Sequence, residues 1–199
     1  MKKFVAIIAA LLLALPAFAQ HLESDTISNV ERMLNKKGVV LKKEFGGVIR
    51  KKTGSIKMPG SCQYETLIVT NMKTNEKTGG LRITAMFSYM IGNNSKTDEY
   101  IAYLDPEEIN ACVSFMKKAS AEYINTSPDK YTELVYSTSD GFRIGCFYDP
   151  NDKNPVWKVF MQTKNYTDRS FVAIDKDDLP VLIEDFENAY NSIMSSIGK

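Results

Sequence analysis

Two acidic clusters are the first residues of this 199-residue chain that could do chemistry. Asp105, Glu107 and Glu108 close a hydrophobic run in "YLDPEEI", and Asp175, Asp177 and Asp178 close another in "AIDKDDL", seventy positions later. Paired carboxylates can hydrolyse a glycosidic bond with no histidine, one as acid and the other as nucleophile or base. They must then stand ~5 to 9 Å apart across the substrate.

Other mechanisms fail on residue type. His21 is the only histidine, at the edge of the amino-terminal leader, and a Ser-His-Asp or Cys-His site needs its base held within hydrogen-bond reach of the nucleophile. No close Cys or His pairs supply tetrahedral ligands, so no metal site is expected. In "YDPNDKNPVW" Asp149, Asn151 and Asp152 offer oxygens, but Lys153 takes an alternate position and no Gly follows, so a hairpin turn is expected rather than a calcium loop. Gly46-Gly47 and Gly79-Gly80 are isolated pairs without the spacing that lays backbone N–H groups on a phosphate, and they read as turns. No cofactor is expected.

The acids also have an ordinary structural job. Asp105 can cap a helix, Pro106 suits its first position, and Glu107 and Glu108 favour the positive end of the helix dipole. Behind them Ile109, Cys112, Val113, Met116 and Ala119 form an apolar stripe at helical spacing. The same register returns after Asp175 in Leu179, Leu182, Ile183, Phe186 and Ala189. Pro180 breaks the match, because inside a helix it removes a backbone donor; the second helix should start only at Leu179 or Pro180, after a tight acidic turn.

These helices need strands to stand on. "SDTISNVERMLNKKG" reads as a short amphipathic helix capped by Ser24 or Asp25 and stopped by Gly38. Alternating and β-branched segments then predict strands near 39–49, 63–71, 81–91 and 99–104, and again near 131–138, 141–149, 156–164 and 170–174, with Asp140-Gly141 as a tight turn. The expected class is α+β: an amino-terminal helix, then two units, 39–125 and 131–197, of about four antiparallel strands and one helix, the helices packed on one face of the sheets. This element order resembles that of the Whirly group of single-strand-binding proteins.

The opening "MKKFVAIIAALLLALPAFAQ" reads as a signal peptide over residues 1–19, cleaved near Ala19/Gln20, leaving a single domain over 20–199. Removing Lys2 and Lys3 leaves 23 basic and 24 acidic side chains. That near-neutral total supplies no global attraction to polyanions, so nucleic acid is expected to be an unlikely partner. Its distribution is uneven. Residues 36–57 carry eight basic side chains against Glu44 alone, and 175–187 carry six acids against Lys176 alone. A basic hairpin with Lys42, Lys43, Arg50, Lys51 and Lys52 could hold phosphates of an anionic envelope lipid, an acidic glycan or a nucleic-acid backbone, or its lysines could keep an edge strand from pairing with other chains, the preferred reading. Trp157 and Cys112 fall on core-facing positions, and an odd set of cysteines, Cys62, Cys112 and Cys146, allows at most one bridge. These features predict a periplasmic or secreted, non-catalytic protein that binds a ligand or another envelope protein. A carboxylate hydrolase and a structural or assembly subunit are the alternatives.

Overall fold

The computed structural model describes residues 27–47, 49–52 and 60–198, with the backbone alone described at 49–52 and 60. The leader, its cleavage point and His21 lie outside the described residues. Helix α1 (Asn29–Leu34) is capped by Ser28, whose Oγ accepts the Glu31 N–H at 3.1 Å; the expected caps Ser24 and Asp25 lie outside the described residues. It is followed by β1 (Leu41–Phe45), β2 (Ile49–Lys52), β3 (Gly60–Asn71), β4 (Lys77–Ile91), β5 (Asn94–Leu104) and α2 (Pro106–Glu122). The second unit holds β6 (Thr132–Ser137), β7 (Arg143–Tyr148), β8 (Lys158–Gln162), β9 (Phe171–Ile174) and α3 (Leu179–Ile197). The α+β expectation holds: all pairings are antiparallel, in one sheet ordered β1-β3-β4-β5 with β2 also on β3, and a second ordered β6-β7-β8-β9.

Both helical stripes point inward as their spacing requires. Ile109, Cys112, Val113, Met116 and Ala119 of α2 are buried, as are Leu179, Leu182, Phe186, Ala189 and Ile193 of α3. With Tyr64, Ile83 and Ala85 of the first sheet, Ile144 and Met161 of the second, and Trp157 just before β8, they form one continuous core. The Trp157 indole N–H donates to the Thr126 carbonyl at 2.9 Å, so the ring is buried without an orphan donor. Pro180 sits in the first turn of α3, and a 3-10 turn over Lys176–Asp178 precedes it, as the ring's missing donor dictates. Lys117 and Glu187, at matching positions of the two helices, are joined at 2.5 Å.

Two glycines read as turns are instead interior strand positions where helices come close. A Cβ at Gly79 would meet Ile193 Cγ2 of α3 at 2.8 Å, and one at Gly80 would meet Val30 Cγ2 of α1 at 2.8 Å on the other face. One adjacent pair therefore admits a helix to each side of β4. Gly141, by contrast, is a true turn residue with φ of 89°, where its neighbour Asp140 and Thr138 bind each other and receive the Phe142 N–H. All three cysteines are buried free thiols. Burial pushes Cys62 up to about 12 and Cys146 up to about 11, so they behave as core residues.

Candidate functional site

The two acidic clusters do not meet. Residues at the start of α2 (Pro106, Glu107) share a cleft with the end of α3 (Met194, Ile197), while Met116 and Ala119 lie by Leu179, so the helices run antiparallel. The acidic turns thus stand at opposite ends of a helix pair, about 25 Å apart for a 17-residue helix, against the ~5 to 9 Å that carboxylate hydrolysis needs. Asp105 and Glu108 stand in a capping box, where the Asp105 N–H donates to Glu108 Oε2 at 3.0 Å. Asp105 is only 8% exposed. Its carboxylate accepts the backbone N–H groups of Asn29 at 2.7 Å and Val30 at 3.3 Å, so it caps α1 across the fold. Among the described residues no cluster of three or more His, Cys, Asp and Glu side chains could hold a metal ion.

The five basic residues singled out in the sequence lie on β1 and β2, but these strands do not form a hairpin with each other. Both run antiparallel to β3, one after the other, as a single interrupted edge. Gly46 keeps the chain against β3: its N–H donates to the Thr66 carbonyl at 2.8 Å, and a Cβ there would overlap Thr66 Oγ1. The interruption carries an extra residue. Phe45 pairs with Leu67 and Ile49 with Tyr64, so the edge takes four steps where β3 takes three.

That step reverses the side-chain alternation, as a bulge does. Lys43 pairs with Val69 and Phe45 with Leu67 before it; Arg50 pairs with Gln63 and Lys52 with Ser61 after it. All four β3 partners are odd-numbered and share one face. Lys43, Phe45, Arg50 and Lys52 therefore hold register positions on the outer face of the first sheet, while Lys42, opposite Thr70, and Lys51, opposite Cys62, belong to the inner side. Sequence alternation without the bulge would place Lys51 with Phe45 and send Arg50 and Lys52 to the other face.

Phe45 is 54% exposed. The Arg82 guanidinium of β4 lies 6.0 Å from its ring centroid and is held by Glu65 at 2.5 Å. Glu65 is buried, and this pairing satisfies it. Beyond it on the same face run Thr84 and Met86 of β4, then Glu99, Ile101 and Tyr103 of β5. The arrangement is a sheet face with an accessible aromatic ring and a stack-capable guanidinium, edged by the register positions of Lys43, Arg50 and Lys52.

The second sheet bears an aromatic row that alternation alone did not single out. Tyr131, Phe147, Phe160 and Phe171 follow one another at 6.3, 6.2 and 4.9 Å between ring centroids on its outer face. Phe160 is 2% exposed, because a glycine, Gly145, stands opposite it and its neighbours close over it. Lys158 Nζ covers Phe147 at 5.5 Å. The row packs on itself and lacks a line of cations.

No family model and no curated protein matches the chain. Solved structures similar to it include WHY3 from Arabidopsis thaliana, with 16% identity, a TM-score of 0.32 and coverage of 75% of this chain and 88% of that one. Another is WHY1 from Arabidopsis thaliana, with 15% identity, a TM-score of 0.31 and coverage of 74% and 84%. Both are Whirly proteins. Against these likenesses two expectations are corrected: an envelope protein that binds a ligand or another envelope protein, and nucleic acid as an unlikely partner. The physical root of the error is the use of total charge, which averages a cationic edge with an acidic helix.

Proposed function

We propose that this protein binds single-stranded nucleic acid across the outer face of its first sheet. The observation that carries the reading is the register that sets Lys43, Arg50 and Lys52 on the same sheet face as the exposed ring of Phe45. Single-strand binders need two things, a cationic track for the phosphate backbone and ring faces on which any base can stack. Arg50 and Lys52, two residues apart on a strand, stand about 6.6 Å apart along it and repeat charge in the direction a chain would run. Phe45 supplies the ring, and Arg82 beside it adds a planar cation able to stack. The acids of 175–187 do not oppose this field, because α3 packs on the inner face, where its Phe186 meets Tyr64 edge-on at 5.8 Å.

Titration of a labelled oligothymidylate at a series of salt concentrations tests the reading. Each phosphate neutralised on a single strand contributes ~0.7 to the slope of log affinity against log salt, so Lys43→Gln/Arg50→Gln/Lys52→Gln should flatten the slope by about 2. Phe45→Ala should weaken binding by ~1–3 kcal/mol and leave the slope unchanged. An unchanged slope in the triple variant, or equal affinity for a duplex of the same length, contradicts the reading.

A further inference from the structure

Helix α1 sits on the same sheet face as this site and is held there by little. It has six residues, well below the ~12–15 an isolated helix needs to persist in water. Its attachment is tertiary: Val30 and Met33 are buried on Leu67 and Val69, beside Leu41 and Tyr103, and the Asp105 carboxylate grips its first two N–H groups. The border of this small cluster coincides with the border of the candidate site. Leu67 is the strand partner of Phe45, and Tyr103 is the partner of Arg82. Lifting α1 would therefore extend the open face without a break and free a second ring, Tyr103, on the strand beyond Arg82.

Resting on the reading of that face as a single-strand site, we infer that α1 is a displaceable cover, latched by Asp105, and that α1 and the nucleic acid compete for the Leu67–Tyr103 end of the sheet. Segments with few buried side chains open at far lower cost than the core, and a site that is partly covered binds with an affinity reduced by the covered fraction. Ligand binding and cover opening must then favour each other reciprocally. Tyr103 is the specific gain: it becomes the second stacking platform once Val30 and Met33 leave it.

The test reads α1 and the ligand separately. Amide hydrogen exchange of residues 29–34 is measured in the wild type, Asp105→Asn and Val30→Ala, with and without saturating oligothymidylate; Val30→Ala guards against damage to the α2 start in the Asp105 variant. Loss of the cap in Asp105→Asn, or of buried side-chain contact in Val30→Ala, predicts at least about five-fold faster opening of α1 and a matching tightening of oligonucleotide binding in each variant. Bound oligonucleotide should accelerate exchange at 29–34 in the wild type. Faster opening with unchanged affinity, slower exchange at 29–34 on binding, or no response of α1 to either substitution overturns the cover while leaving the binding face in place. Absence of oligonucleotide binding in all three proteins overturns both.

Discussion

Asp105 and Glu108 show how far one side chain can be read from its neighbours in sequence. A carboxylate ahead of Pro106 and two glutamates is legible as a helix start, and Glu108 does accept the Asp105 N–H. The acceptor role of Asp105 toward Asn29 and Val30 was not legible, because those partners lie more than seventy residues upstream. Burial pushes the Glu108 carboxyl up to about 7, opposed by its hydrogen bond from Asp105 and aided by the carboxylates of Asp140, Asp105 and Glu107. An acid raised in this way from its ordinary 4.5 contributes stability that is present in full below pH ~4.5 and lost as pH rises through ~7. Glu108→Gln removes that ionisation. Since solvent still reaches the half-buried group, the wild type should fall behind the variant by about 1 kcal/mol between pH 5 and 8. Thermal unfolding would register this as ~2–4 °C, and parallel pH profiles for the two proteins would contradict it.

At the scale of elements, periodicity located the helices well because a buried stripe leaves a spacing that nothing else mimics: nine of the ten stripe positions expected in α2 and α3 are buried, with Ile183 half-buried. Strands were legible as existing and less so in their pairing. The edge was read as a hairpin because glycines between cationic segments resemble a turn, whereas Gly46 is required by contact with Thr66 on the neighbouring strand. The extra residue that follows it decides which cations join Phe45, and no local pattern announces that. Gly79 is a second case, misread as a turn because the helix it admits lies more than a hundred residues away. Gly79→Ala would press its new methyl on Ile193 and Ile68. It should cost ~1–3 kcal/mol in urea unfolding, and less in an Ile193→Ala background, which removes the Cγ2 it meets. Equal costs in both backgrounds would mean that α3 does not set the requirement for glycine.

For the whole molecule the sum of charges was the misleading quantity. A chain with 25 basic and 24 acidic side chains looks indifferent to polyanions, but folding separates the signs: the register sets Lys43, Arg50 and Lys52 with Phe45 on the outer face of the first sheet, and the acidic α3 covers the opposite face. Antiparallel packing of α2 and α3 likewise places the two acidic turns at opposite ends, which sequence spacing could not foresee. The most direct test of the central claim is to map amide chemical-shift changes as a single-stranded oligonucleotide is added. The account predicts changes concentrated at 41–45 and 49–52, continuing through 63–67 and 82–84 to Tyr103, with the second sheet's Phe147 and Phe171 unaffected. Changes confined to that aromatic row or to the acidic surface of α3 would contradict it.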